Sequence, residues 1–185
     1  MPLLEQKDLR DLGENYEYIP KNYLYVVSEH DNFVLDYAKP GDVGIDIPVI
    51  IKGSRLDPPL NHFINEKEGW LEIPTHGTAE IPTGLRIKIP EDAWGNIRPR
   101  SSTIWKKRLI VIPSTIDSGF TGPLYVLARN MNYKPVRIHD GDRLAQLILV
   151  PKYPLIGVNR VTELPKTSRA DACFGSSGGI KEVYS

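Results

Sequence analysis

The chain has 185 residues with 23 basic and 23 acidic side chains, formal net charge zero; this is room for one domain with a real core, and the balance excludes the basic footprint of a duplex nucleic-acid binder. A single cysteine, Cys173, excludes an intrachain disulfide, and His30, His62, His76 and His139 lack the spacing of a zinc site. The longest apolar runs, LIVIP and LAQLILVP, are too short to cross a bilayer as helices, and the charged start MPLLEQKDLRDLG holds no apolar signal core, so the expected setting is cytoplasmic or otherwise intracellular.

In chain order, residues 1–20 read as a polar N-terminal arm and 21–165 as one β domain. DVGIDIPVI (42–50) reads as a buried strand. Residues 52–70 read as a long surface loop or an irregular hairpin. GLRIKIP (84–90) alternates Leu85, Ile87 and Ile89 with Arg86 and Lys88, the pattern of a half-buried strand. SSTIWKKRL (101–109) is the best helix candidate, with Ser101 or Ser102 as its N-cap. PLYVLARN (123–130) and RLAQLILVP (143–151) read as buried strands. Residues 166–185, with RADACFGSSGG, read as a flexible C-terminal lid segment. Sixteen prolines and fifteen glycines punctuate these runs, and long 3.6-residue periods are absent. The expected fold is all-β, a sandwich or barrel with one short helix.

Five stretches carry polar or glycine residues that a plain β-core does not need. Asp46 stands between Ile45 and Ile47 in GIDIPV. Arg98 and Arg100 precede two hydroxyls at a helix start in RPRSST, where free N–H groups favour an anion. Asp117 ends an apolar run in STIDSGFTG, either as a turn residue or as a carboxylate that orients water. Gln146 stands in an otherwise apolar strand after the turn signal Asp-Gly-Asp, so its amide needs a partner. Finally, Arg169, Phe174 and the Gly-Ser run could bind phosphate and a flat ring, or be a solvated tail.

In this order GIDIPV, PRSS, ID-x-x-F-x-G, GDRLAQLI and R-x-x-x-x-FGSSGG resemble the five motifs of the trimeric dUTPase family, from about Gly41 to Gly179. The resemblance implies a jelly-roll-like β-clip fold, a homotrimer with active sites between subunits, and hydrolysis of dUTP to dUMP and pyrophosphate with Mg²⁺. It implies that Asp117 orients the attacking water. Arg100, Ser101, Ser102 and Gln146 would contact phosphates, Phe120 would pack on deoxyribose, and Asp46 would support the site. In a closing lid, Arg169 would bind the γ-phosphate, Phe174 would stack on uracil, and Gly175, Ser176 and Ser177 would hold terminal phosphate oxygens. The metal would be held by phosphates and water rather than by the protein.

The chain departs from the family pattern at several positions. Phe120 replaces a usual Tyr, Tyr125 stands where the uracil-reading hairpin commonly has Gly, and Pro123 removes a nearby backbone donor. Ala170, Ala172 and Cys173 replace lid glycines. Two alternatives remain at this point. One is the sister dCTP deaminase branch or another deoxynucleoside triphosphate pyrophosphatase. The deaminase would require a general-base Glu where Leu127 stands and an Arg where Trp105 stands. The other is a non-enzymatic, nucleotide-responsive interaction protein.

Overall fold

Short runs of β-branched and aliphatic residues, each ended by Pro, Gly or Asp, give eleven strands and one helix among the described residues. The computed structural model describes residues 23–28, 35, 37–52, 63–155 and 157–166. The chain divides into two compact units, Met1–Lys152 and Tyr153–Ser185, and every strand lies in the first. The arm at 1–20, the segment 53–62 and the lid residues Arg169, Phe174, Gly175, Ser176 and Ser177 lie outside the described residues.

Three sheets make up the first unit. One runs in the order β1 (Tyr25–Ser28), β5 (Thr78–Lys88), β9 (Pro123–Asn130), β7 (Leu109–Val111). The second runs β10 (Val136–His139), β4 (Trp70–Ile73), β3 (Phe63–Asn65), and the third β2 (Ile45–Pro48), β11 (Arg143–Pro151), β6 (Ala93–Pro99), β8 (Ser114–Ile116). All their pairings are antiparallel. Ile47, Ile73, Ile81, Leu85, Ile97 and Leu124 from these sheets meet in one core from which water is excluded. This is the all-β arrangement expected, with a single short helix, α1 (Ser101–Lys107), among the described residues.

Local chemistry refines several expectations. The strand at 123–130 is half-buried rather than buried: Leu124, Val126, Ala128 and Asn130 face the core, while Pro123, Tyr125 and Leu127 stay partly exposed. The strand read from Gly84 begins six residues earlier, because Pro82-Thr83-Gly84 forms a bulge inside β5 and not a boundary. The segment read as a strand over 42–50 pairs as a strand only over Ile45–Pro48. Of the 52–70 region, read as a long loop or an irregular hairpin, residues 63–70 form the β3–β4 hairpin together with Leu71–Ile73, closed by Gly69 N–H to the Asn65 carbonyl at 2.8 Å.

The helix start also differs. Arg100, in extended conformation, is the N-cap residue, and no side chain caps the helix. Ser101 and Ser102 are the first two helical residues, so their hydroxyls are not spent on capping. The helix stops at Arg108, whose left-handed φ of 49° ends the repeat.

Candidate active site

The first part of the site is built where β2, β11 and β6 run side by side. Gln146 on β11 lies opposite Asp46 on β2 and opposite Arg98 on β6. Asp46 is buried, and each of its carboxylate oxygens has its own guanidinium. Arg100 Nε lies 2.8 Å from Oδ1, and Arg143 Nη1 lies 3.3 Å from Oδ2. Arg100 also donates from Nη1 to the Arg143 carbonyl at 3.3 Å. One buried anion thus separates two cations that would otherwise repel each other, and it fixes the direction of both. Their side chains remain 31% and 54% exposed, so each keeps donors for an anionic ligand.

Two further contacts seat the helix on this cluster. Arg100 N–H and Thr103 Oγ1 both donate to the Leu144 carbonyl, at 3.2 and 2.7 Å. Ser101 is exposed and Ser102 half-buried. A pocket of about 320 Å³ opens between α1 and the Gly141–Leu144 segment, lined by Arg100, Ser102, Lys106 and Arg143 among others. Lys107 is neutralised by Asp142 at 2.9 Å. The remaining excess of positive charge with a hydroxyl suits a phosphate.

Gln146 has a backbone partner: its Nε2 donates to the Pro99 carbonyl at 3.2 Å. Its side chain lies across Gly44, where an added Cβ would come within 2.9 Å of the Gln146 Cβ and onto its amide oxygen. The Asp-Gly-Asp turn is structural. Asp140 Oδ1 accepts the N–H groups of Ile51 and Lys52 at 2.6 and 3.0 Å, and Asp142 Oδ2 accepts that of His139 at 3.0 Å.

The second part lies elsewhere. Asp117 follows β8 and is exposed, at the start of a turn closed by Phe120 N–H to its carbonyl at 3.0 Å. Phe120 is 40% exposed, and its ring lies over Gly122, where a Cβ would fall 2.8 Å from the ring. A carboxylate and a ring therefore project from one turn beside the first residues of β9.

The chain brings Asp46, Arg100, Ser101, Ser102 and Gln146 together at one end of β6, and Asp117 with Phe120 at the other. β8 pairs Ile116 with Gly95, which puts Asp117 level with Trp94, six residues before Arg100. At about 3.3 Å per residue the two ends are about 20 Å apart. Arg143 was not singled out in the sequence. Its only signal was a cation between a turn and an apolar strand, and its partner Asp46 is 97 positions away.

The chain is similar to known proteins in sequence and in fold. The dUTPase family model matches residues 69–178. The deoxyuridine 5'-triphosphate nucleotidohydrolase of Wolbachia pipientis subsp. Culex pipiens is 40% identical over 146 residues, covering 77% of this chain and 84% of that protein. The Neorickettsia sennetsu enzyme of the same name is 32% identical over 144 residues, covering 77% and 85%. The Arabidopsis thaliana enzyme is 38% identical over 107 residues, 58% of this chain, and the match spans 64% of its length. Among solved structures, the Staphylococcus bacteriophage 80alpha dUTPase with dUPNHPP aligns with a TM-score of 0.69 at 22% identity, covering 85% of this chain and 99% of the phage chain. The dUTPase of S. aureus phage phi11 aligns at 0.63 and 21%, covering 79% and 100%. The fold is therefore the jelly-roll-like one of those proteins, and with the match of the family model and the two bacterial relatives, the chain belongs to the dUTPase family.

Proposed function

We propose that this chain is a dUTP diphosphatase, cleaving dUTP to dUMP and pyrophosphate in a homotrimer whose active sites are shared between subunits. The observation that carries the reading is the Asp46–Arg100–Arg143 cluster beside the Ser101 and Ser102 hydroxyls, in a chain of this family. Arg100 and the hydroxyls bind phosphate oxygens, Gln146 assists from β11, and Asp46 holds Arg100 in place. Asp117 accepts a hydrogen bond from the water that attacks the α-phosphorus. Phe120 packs on the deoxyribose and leaves no space for a 2′-hydroxyl. The separation of about 20 Å along β6 supports drawing Asp117 and Arg100 of one site from different subunits. Arg169, Gly175, Ser176 and Ser177 contribute phosphate contacts and Phe174 a ring for the uracil.

Among the described residues no three His, Cys, Asp or Glu side chains form a group that could hold a metal ion. A Mg²⁺ would be carried by the triphosphate and water and would supply charge neutralisation at the phosphates. Release of dUMP limits uracil in DNA and feeds thymidylate synthesis, within a cytoplasmic or other intracellular deoxynucleotide pool. Names of the relatives favour this over the deaminase and the non-enzymatic alternatives.

Pyrophosphate release from dUTP, dCTP, dTTP and UTP with Mg²⁺, with the nucleotide product identified, tests the proposal. Release from dUTP alone, yielding dUMP, is expected. Each mismatched buried hydrogen-bonding group on cytosine costs about 1–3 kcal/mol, and two give roughly 10²- to 10⁴-fold discrimination. Turnover of dCTP, or none at all, overturns it.

A further inference from the structure

Two lysines from different sheets converge on the residue that follows Asp117. Lys88, the last residue of β5, donates its ammonium to the Ser118 carbonyl at 2.8 Å. Lys152, the residue after β11, donates to the Ser118 hydroxyl at 2.5 Å. The backbone of Lys152 is itself fixed, its N–H bonded to the Asp92 carbonyl at 2.7 Å. Ser118 is the buried residue of its turn, 9% exposed, while Asp117, Gly119 and Phe120 are exposed. Among the described residues neither lysine has a carboxylate within ion-pair distance; their charge is directed at this serine.

The geometry has a specific consequence. The bond to the carbonyl sets the plane of the Ser118–Gly119 peptide. The bond to the hydroxyl sets the rotamer of the Ser118 side chain. The turn bond from Phe120 N–H already holds the Asp117 carbonyl. A turn containing Gly119, whose Cβ position is open space, would otherwise sample several conformations. Charge-assisted bonds from the ends of β5 and β11 restrict it.

We infer that Lys88 and Lys152 are positioning residues for the hydrolytic step: they clamp Ser118 so that the Asp117 carboxylate and the Phe120 ring are presented in a single arrangement, without touching the nucleotide themselves. This rests on the proposed role of Asp117. Reaction geometry is sensitive to such clamps, since a misplacement of about 1 Å can cost on the order of 10²-fold in rate.

The test uses the full chain with Lys88→Met, Lys152→Met and Asp117→Asn. For each, kcat and KM for dUTP with Mg²⁺, the Kd of the imido analogue dUpNHpp, and the thermal unfolding midpoint are measured. Each lysine variant is expected to lose about fivefold or more in kcat while analogue affinity stays within about threefold and the fold melts as a single transition. A smaller fall in kcat, or one matched by an equal loss of analogue affinity, overturns the clamp. Wild-type turnover in Asp117→Asn overturns the role of Asp117 itself. An inactive Asp117→Asn beside lysine variants of normal kcat sinks only the clamp.

Discussion

Gly44 and Gln146 show how a missing side chain can set a polar one. Gln146 is half-buried in an apolar strand, so its amide has to be satisfied, and one donor goes to Pro99. The side chain can lie flat toward β2 only because residue 44 has no Cβ. In Gly44→Ala the methyl meets the Gln146 amide and forces a rotamer change; the expected cost is about 1–3 kcal/mol of stability. If Gln146 also contacts phosphate, KM for dUTP rises as well. Thermal unfolding and steady-state kinetics check both, and an unchanged melting point and KM would show that the amide moves aside freely. The need of Gln146 for a partner was legible in the sequence, as was the oddity of Asp46 between two isoleucines. Its partner Arg143 was not, because contacts across 97 positions leave no local trace.

The bulge in β5 makes the same point for a strand. Pro82, Thr83 and Gly84 look like punctuation, yet Thr83 repairs the broken ladder. It is fully buried, its Oγ1 donates to the Leu124 carbonyl at 2.6 Å and accepts Leu85 N–H at 3.2 Å. Gly84, at φ +64°, brings the backbone against Ile50. Thr83→Val keeps the shape and removes both bonds, leaving a buried N–H and a buried carbonyl short of a partner; a loss of about 1–3 kcal/mol is expected in denaturant unfolding. A variant as stable as the parent would mean that β5 and β9 pair without the hydroxyl. Long apolar runs were readable, and the bounds of β9 and β11 agree with those expected. Strands of three or four residues, such as β1, β7, β8 and β10, were not, because so few positions carry no period and only their neighbours make them strands. The serine N-cap failed for a related reason: the Arg100 and Thr103 bonds to Leu144 decide where α1 starts.

Asp117 and Arg100 at opposite ends of β6 lead to an experiment on the assembled molecule. If one triphosphate needs both, and the two lie about 20 Å apart along one strand, each site must take them from different subunits. Asp117→Asn and Arg100→Ala chains are each expected to be nearly inactive alone. Unfolded together in equal amounts and refolded, they form mixed assemblies. A site regains both groups when its Asp117 comes from an Arg100→Ala chain and its Arg100 from an Asp117→Asn chain. With random assortment that holds for about a quarter of sites, so about a quarter of wild-type activity returns. Sites built within single chains would return none, because every chain lacks one of the two groups. Mixing the folded variants without unfolding supplies the control: activity that rises only after co-refolding has come from exchanged subunits.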